Sequence, residues 1–159
     1  MTTLETSTPP ILVFTGRYGF LHNFHRSSIL MGDGIRYRHG EGAFHGQKSS
    51  DMAWRQKVAR MEPWDAKAAG RAVHLDDVAA WDARAKLVML RVELNKFLQH
   101  PRLREDLVAT GDALLVEGNR HHDNRWGDCH CGDVDHPECE PPGTNWLGQI
   151  LMHVRFVLT

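Results

Sequence analysis

The sequence predicts an α+β protein: a single compact, mostly helical domain with a small β-sheet. Three observations lead there. Apolar residues recur at three- and four-residue steps between 76 and 99, short apolar runs elsewhere are bounded by glycine and aspartate, and Trp146 to Leu158 forms a closing amphipathic segment. A chain of 159 residues holds one ordinary core and is short for two. No repeat or internal boundary is evident, so the domain is expected over 11–159, behind a flexible lead of 1–10 rich in Thr, Ser and Pro.

Taken in order, Ile11 to Thr15 reads as a short buried strand ended by Gly16, and Gly19 to Phe24 as an aromatic loop. Ser28 to Met31 and Ile35 to Tyr37 flank Gly32-Asp33-Gly34, a hairpin turn by composition. Segments 41–50, 52–60 and 64–70 read as short helices separated by Ser/Asp and by Pro63. Asp76 and Asp77 suit a helix start, and Val78, Trp81, Ala85, Val88, Met89 and Val92 then give a core-facing stripe running to about Gln99. Pro101 stops that helix, another follows over Leu103 to Ala109 with Gly111 as its cap, and Ala113 to Glu117 reads as a strand. Residues 119–144 show little regular pattern before the final helix.

Composition narrows the functional classes. With 42% apolar and 25% charged residues the chain is an ordinary globular one. A formal net charge of -1 argues against nucleic-acid binding through bulk charge and leaves a local basic patch open. No run reaches membrane-span length, so no membrane partner is expected, and Met1 to Pro10 lacks the basic-then-apolar order of a signal peptide. The three cysteines, an odd number, all lie between 129 and 139, which fits a reducing, cytoplasmic setting.

Several residues invite chemistry. On a continuous helix Glu41 and Lys48 are nearly two turns apart, on one face and roughly 10 Å from each other, with Phe44 between them. A carboxylate and an amine beside an aromatic floor suit a proton donor and a nucleophile around a sugar; a solvated helix face is the competing reading. Trp81 matches the core stripe as well as a binding wall. Lys96 either complements the helix dipole or reaches a phosphate, and Arg155, among apolar neighbours, calls for an anionic partner. Glu117 ends an apolar run, where a carboxylate is costly unless paired or functional. Asp123 and Asp128 flank Trp126-Gly127, a place for backbone approach and base stacking, or else a ligand-free Ω-loop. Within the 128–142 loop, Cys129, Cys131, His136 and Cys139 would complete a tetrahedral structural zinc site; reduced, unliganded thiols are the alternative.

The ordered set of these segments resembles the NADAR family, also called YbiA-like N-glycosidases. The residues that carry it are Phe14, Gly19-Phe20, Leu21-His22-Asn23-Phe24, Gly34, Tyr37, Glu41, Phe44, Gln47-Lys48, Trp81, Arg84, Met89 and Lys96-Phe97. They continue through Thr110-Gly111-Asp112, Leu115-Val116-Glu117, Asp123, Trp126-Gly127, Gly143, Asn145, Leu147-Gly148, Leu151-Met152 and Arg155. His22 stands where the family usually has Ser, and the Cys/His stretch replaces a short Gly-rich connection.

The resemblance implies hydrolysis of a ribose C1′–N bond, with no cofactor for catalysis. The substrate would be nucleotide-like: a ribosylamino-pyrimidine phosphate of riboflavin synthesis, or ADP-ribose on guanine bases with transient nucleic-acid contact. Glu41, Lys48 and Asp123 would then be catalytic. Asn23, Phe24, Phe44, Trp81, Lys96, Glu117, Trp126 and Arg155 would bind substrate. A non-catalytic ADP-ribose or nucleotide reader using the same groups is the alternative function.

Overall fold

The computed structural model describes residues 8–159, and its contacts group into two compact units, residues 23–101 and residues 8–22 with 102–159. Most of the expected 1–10 lead thus lies outside the described residues. The protein is mostly helical with small ladders, the expected α+β class.

The 23–101 unit opens with β1 (Ile29–Leu30) and β2 (Arg36–Tyr37), antiparallel with Ile29 opposite Tyr37, so the predicted hairpin is present. Its turn is held by Asp33. One carboxylate oxygen accepts the Ile35 amide at 2.9 Å; the other accepts the Tyr37 hydroxyl at 2.9 Å and the Gln47 amide at 3.1 Å, while Gly34 takes φ +79. Three short helices follow: α1 (Gly40–Gly46), α2 (Met52–Ala59) and α3 (Pro63–Ala72). α1 ends at Gly46, whose absent Cβ would meet the Tyr37 ring at 2.5 Å. Lys48 therefore lies past the helix, and the two-turn spacing expected between Glu41 and Lys48 does not describe it.

α4 (Val78–Gln99) is the long element, 22 residues or about 33 Å. Asp77 caps it by accepting the Ala80 amide at 2.9 Å. The predicted stripe is buried from Trp81 to Val92 and continues through Glu93, Lys96 and Phe97. Val78, its first member, is exposed, because the opening turn projects beyond the core.

α5 spans Pro101–Val108, with the proline that stops α4 as its own first residue. The break falls at His100 (φ -123, ψ 87), since a residue before proline is disfavoured in the helical region. The ladder is β3 (Gly118–Asn119) and β4 (Asp128–Cys129), parallel, with Gly118 opposite Asp128. Two predicted strands are absent. Ile11 to Thr15 and Ala113 to Glu117 meet only at a parallel bridge, Ile11 to Leu115, and Leu12 and Val13 face solvent. The expected aromatic loop contains a 3-10 helix, Gly16–Leu21. α6 (Trp146–Leu158) begins at the predicted residue. Asn145 precedes it at φ 53 and ψ 46; its carboxamide accepts the Glu117 amide at 3.0 Å and donates to the Leu115 carbonyl at 2.9 Å.

Candidate active site

In the 23–101 unit the site is built on α1. His39 caps that helix: its Nδ1 accepts the Gly42 amide at 2.9 Å and its Nε2–H donates to the Met61 carbonyl at 2.9 Å. The start of the helix is further fixed by the Glu41 amide, which donates to the Asn23 carbonyl at 3.1 Å. Glu41 and His45 are four residues apart, hence on one face, and both are buried. His45 Nε2 donates to Glu41 Oε1 at 3.0 Å.

Lys48 comes back over this face from the turn after α1. Its Nζ donates to the Gly70 carbonyl at 2.7 Å and lies 5.5 Å from the Trp81 ring centroid. Burial lowers its basicity below the usual lysine value; Glu41 opposes this, Arg71 adds to it and Asp82 opposes it again. Phe44 packs on Trp81 with centroids 5.3 Å apart and on the His45 ring at 5.1 Å. The Arg84 guanidinium lies 4.9 Å from the same indole centroid and donates to the Gln47 carbonyl at 3.2 Å. The structure therefore brings Glu41, Phe44, Lys48 and Trp81 together, by a route other than one continuous helix.

Gly70 makes this arrangement sterically feasible. A Cβ there would lie 2.0 Å from His45 Nδ1 and 2.2 Å from its Cγ, so only glycine admits the ring beside the carbonyl that holds Lys48. Sequence reading passed over both Gly70 and His45. His45 was signalled by its four-residue step from Glu41; Gly70, at the end of the predicted 64–70 helix and in the last turn of α3, reads by sequence as a helix-ending glycine and gives no sign of its packing role.

Three other candidates of this unit have different surroundings. The buried Asn23 carboxamide donates to Met89 Sδ at 3.4 Å. Phe24 packs edge-on against exposed Trp64 at 4.8 Å, with the Lys67 amine 5.7 Å from its centroid. Lys96 is enclosed in the core, its ammonium 3.6 Å from the equally enclosed Glu93. The anion it faces is an interior carboxylate. Burial pushes Lys96 down and Glu93 up.

Glu117, Asp123, Trp126 and Arg155 belong to the other unit. Glu117 has a partner, His22, whose Nε2 lies 3.5 Å from Oε1. Asp123 Oδ1 accepts the Trp126 amide at 2.9 Å and the Arg125 amide at 3.3 Å, closing the turn before the indole. Trp126 meets Trp146 edge-on at 5.3 Å, and Arg125 lies 4.4 Å over Trp146. Arg155 donates to Thr110 Oγ1 at 2.7 Å and to the Ala113 carbonyl at 2.9 Å, and the Asp112 carboxylate nearby opposes the loss of basicity that burial brings.

The Cys/His cluster forms with one correction. Ligand atoms of Cys129, Cys131 and Cys139 gather with His122, all within 4.8 Å of one another. His136, expected as the fourth member of that set, instead stacks on His122 at 3.9 Å between ring centroids and pairs through Nδ1 with Glu138 at 2.8 Å. The loop turns back at His122, which takes φ 66, and carries that imidazole to the thiols.

A family model described as the NADAR domain matches residues 13–159. The chain is 34% identical over 139 residues to the N-glycosidase YbiA of Escherichia coli, a match covering 87% of this chain and 80% of that protein. It is 37% identical over 144 residues to a riboflavin biosynthesis protein of Vibrio vulnificus, and 39% identical over 97 residues to an N-glycosidase of Nostoc punctiforme. The chain spans 35% of the Vibrio protein's length and 56% of the Nostoc protein's. The NMR structure of Escherichia coli YbiA superposes with a TM-score of 0.77 at 31% identity, covering 96% of this chain and 87% of that one.

Proposed function

The chain belongs to the NADAR family, and from that premise we propose that it is a hydrolase of N-glycosyl compounds, cleaving the bond between ribose C1′ and a base nitrogen. The observation that carries this reading is the Lys48 amine, held on the Gly70 carbonyl over Trp81, with its basicity lowered by burial and with Glu41 close enough to oppose that shift. Only the neutral amine is a nucleophile, and lowered basicity enlarges the neutral fraction.

The Glu41 carboxylate, oriented by His45, takes a proton from the Lys48 ammonium, leaving the amine neutral, and passes that proton to the ring oxygen as the sugar opens to an imine at C1′. The Lys48 amine adds to C1′, and the base nitrogen takes up a proton from the resulting ammonium and leaves with the electron pair of the broken bond. Water then adds to the Lys48–C1′ Schiff base, returning the free amine and the sugar aldehyde. One water is consumed, one base and one sugar phosphate are released, and no cofactor takes part. Phe44 and Trp81 form the aromatic wall for the planar base. The exposed guanidiniums of Arg84 and Arg71 supply positive charge for the phosphate, a role better suited to them than to the enclosed Lys96. Asp123 serves as the cap of its turn.

The name of the Vibrio relative favours a ribosylamino-pyrimidine phosphate as substrate. Incubating the purified protein with that compound, and separately with DNA bearing ADP-ribosylated guanine, distinguishes the two substrates by which base is released. Lys48→Ala is expected to lower turnover by about 1000-fold or more while leaving the fold and most of the affinity in place. Borohydride should trap a covalent adduct on Lys48 in the parent protein only. A folded protein that releases neither base overturns the proposal, and so does a Lys48→Ala variant with parental turnover.

A further inference from the structure

We propose that His122, Cys129, Cys131 and Cys139 form a structural zinc site that pins the loop following β4. The set has the composition of such a site, three thiolates and one imidazole, and residues 122–139 supply all of it: His122 from the β3–β4 connection, Cys129 from the end of β4, and Cys131 and Cys139 from beyond it. Its dimensions agree. Bonds of about 2.3 Å to sulfur and about 2.1 Å to nitrogen, at tetrahedral angles, place sulfurs roughly 3.8 Å apart and nitrogen roughly 3.6 Å from sulfur. The four ligand atoms all fall within 4.8 Å of one another, and Cys139 Sγ to His122 Nδ1 is 3.4 Å.

The surrounding main chain holds the ligands in place independently of any ion. Asn124 gathers the loop: its Oδ1 accepts the Cys129 amide at 3.0 Å, and its Nδ2 donates to the carbonyls of Glu138 and Glu140 at 2.8 and 3.1 Å. Those bonds bracket Cys139 on one side and fix Cys129 on the other. Cys129 and Cys139 are buried although little regular structure covers them. Three thiols converging with an imidazole, in a loop with so small an apolar core, are accounted for by a bound ion that satisfies them.

The chemistry selects the metal class. Thiolates favour Zn²⁺ over Mg²⁺ or Ca²⁺, and four protein ligands leave no position for water, so the ion's role is structural. A second grouping, His122 with Asp133 and His136, shares the imidazole but offers one carboxylate and two histidines on the exposed side of the loop. His136 is held there by Glu138 and stacks on the His122 ring, which orients that ring toward the sulfurs.

The test uses the full chain purified without chelator, with metal measured by mass spectrometry, followed by Co²⁺ titration of the chelator-stripped, reduced protein. Expected are about one zinc per chain and a cobalt spectrum with strong thiolate charge-transfer and tetrahedral ligand-field bands. His122→Ala should weaken Co²⁺ binding by at least about tenfold, and His136→Ala by less than about threefold. The wild-type spectrum is informative even if a variant fails to fold. Less than about a tenth of a zinc per chain, together with no tetrahedral cobalt spectrum from folded protein, overturns the site. A loss with His136→Ala as large as with His122→Ala overturns the ligand assignment.

Discussion

Replacing Gly70 by alanine sets two calculable effects against each other. Gly70 lies inside α3, where alanine is worth roughly 1 kcal/mol more than glycine from backbone propensity alone. On that ground the substitution stabilises. The new Cβ, however, would stand 2.0 Å from His45 Nδ1, 2.2 Å from Cγ and 2.8 Å from Cβ. Ordinary carbon contacts begin near about 3.5 Å, so the ring or the helix must retreat by roughly 1.5 Å. The ring is 6% exposed, packs against Phe44 and is bonded to Glu41, and overpacking of this kind costs about 1–3 kcal/mol, more than propensity returns at all but its lowest values. The difference, a net loss of up to about 2 kcal/mol, lowers Tm by up to about 8 °C in a chain of this size. Turnover should fall as well, because the displaced imidazole is the partner of Glu41. Differential scanning calorimetry and the base-release assay read both effects. Gly70→Ala combined with His45→Ala removes the clash and should recover Tm without recovering turnover. A single Gly70→Ala variant with unchanged or raised Tm and full turnover would refute the reasoning.

Two further expectations concern buried charge and capping. Lys96→Met leaves Glu93 enclosed without its cation and should cost about 3–5 kcal/mol in urea unfolding, whereas Glu93→Leu with Lys96→Met should return to near the parent; equal losses would show that the pair is not what matters. His39 caps α1 only as the neutral ring, since a proton on Nδ1 would face the Gly42 N–H. Burial, opposed by the bond to Met61 and by Glu41 and Glu62, holds its pKa below the unfolded 6.5. The unfolded chain then binds more protons between the folded value and 6.5, so this contribution is complete above pH 6.5 and is lost as pH falls toward the folded value. His39→Asn keeps a capping oxygen and should flatten that part of the stability-versus-pH curve by about 1 kcal/mol; an unchanged slope between pH 7 and 5 would remove His39 from the explanation.

What could be read from sequence follows how local each signal is. The hairpin at Asp33-Gly34, the stripe of α4 with its Asp77 cap, and the start of α6 depend on neighbours a few residues away, and they appear where the pattern puts them. Ile11 to Thr15 and Ala113 to Glu117 have strand composition, but a strand needs a ladder, and their single bridge joins residues about a hundred positions apart. In the site, Glu41, Lys48, Phe44 and Trp81 were chosen for their chemistry and do come together. Lys48 reaches them from beyond the helix and not from its face, because α1 ends at Gly46 and Tyr37 occupies the space where a side chain there would go. Gly70 escaped notice because its role is to be absent beside a ring from another helix. The imidazole that lies with the three thiols is His122 and not His136, which proximity in sequence to the cysteines suggested, because the backbone reversal at 122 leaves no compositional mark.

Asn145 carries a spare amide group on a one-carbon tether, and the chain uses it as if it were main chain. Where two segments would ordinarily be joined by a neighbouring strand, this side chain offers one acceptor to the Glu117 N–H and one donor to the Leu115 C=O. Aspartate could mimic only half of that and would press a negative oxygen toward a carbonyl. Glycine would accept the left-handed backbone and leave both groups orphaned; glutamine would overreach. Gly148 clears the ground for the substitute peptide, since a Cβ there would stand 2.1 Å from the Leu115 oxygen and 2.4 Å from Asn145 Nδ2. The closing helix is thereby spliced to the chain through a pair of residues whose side chains are, respectively, an imitation of backbone and nothing at all.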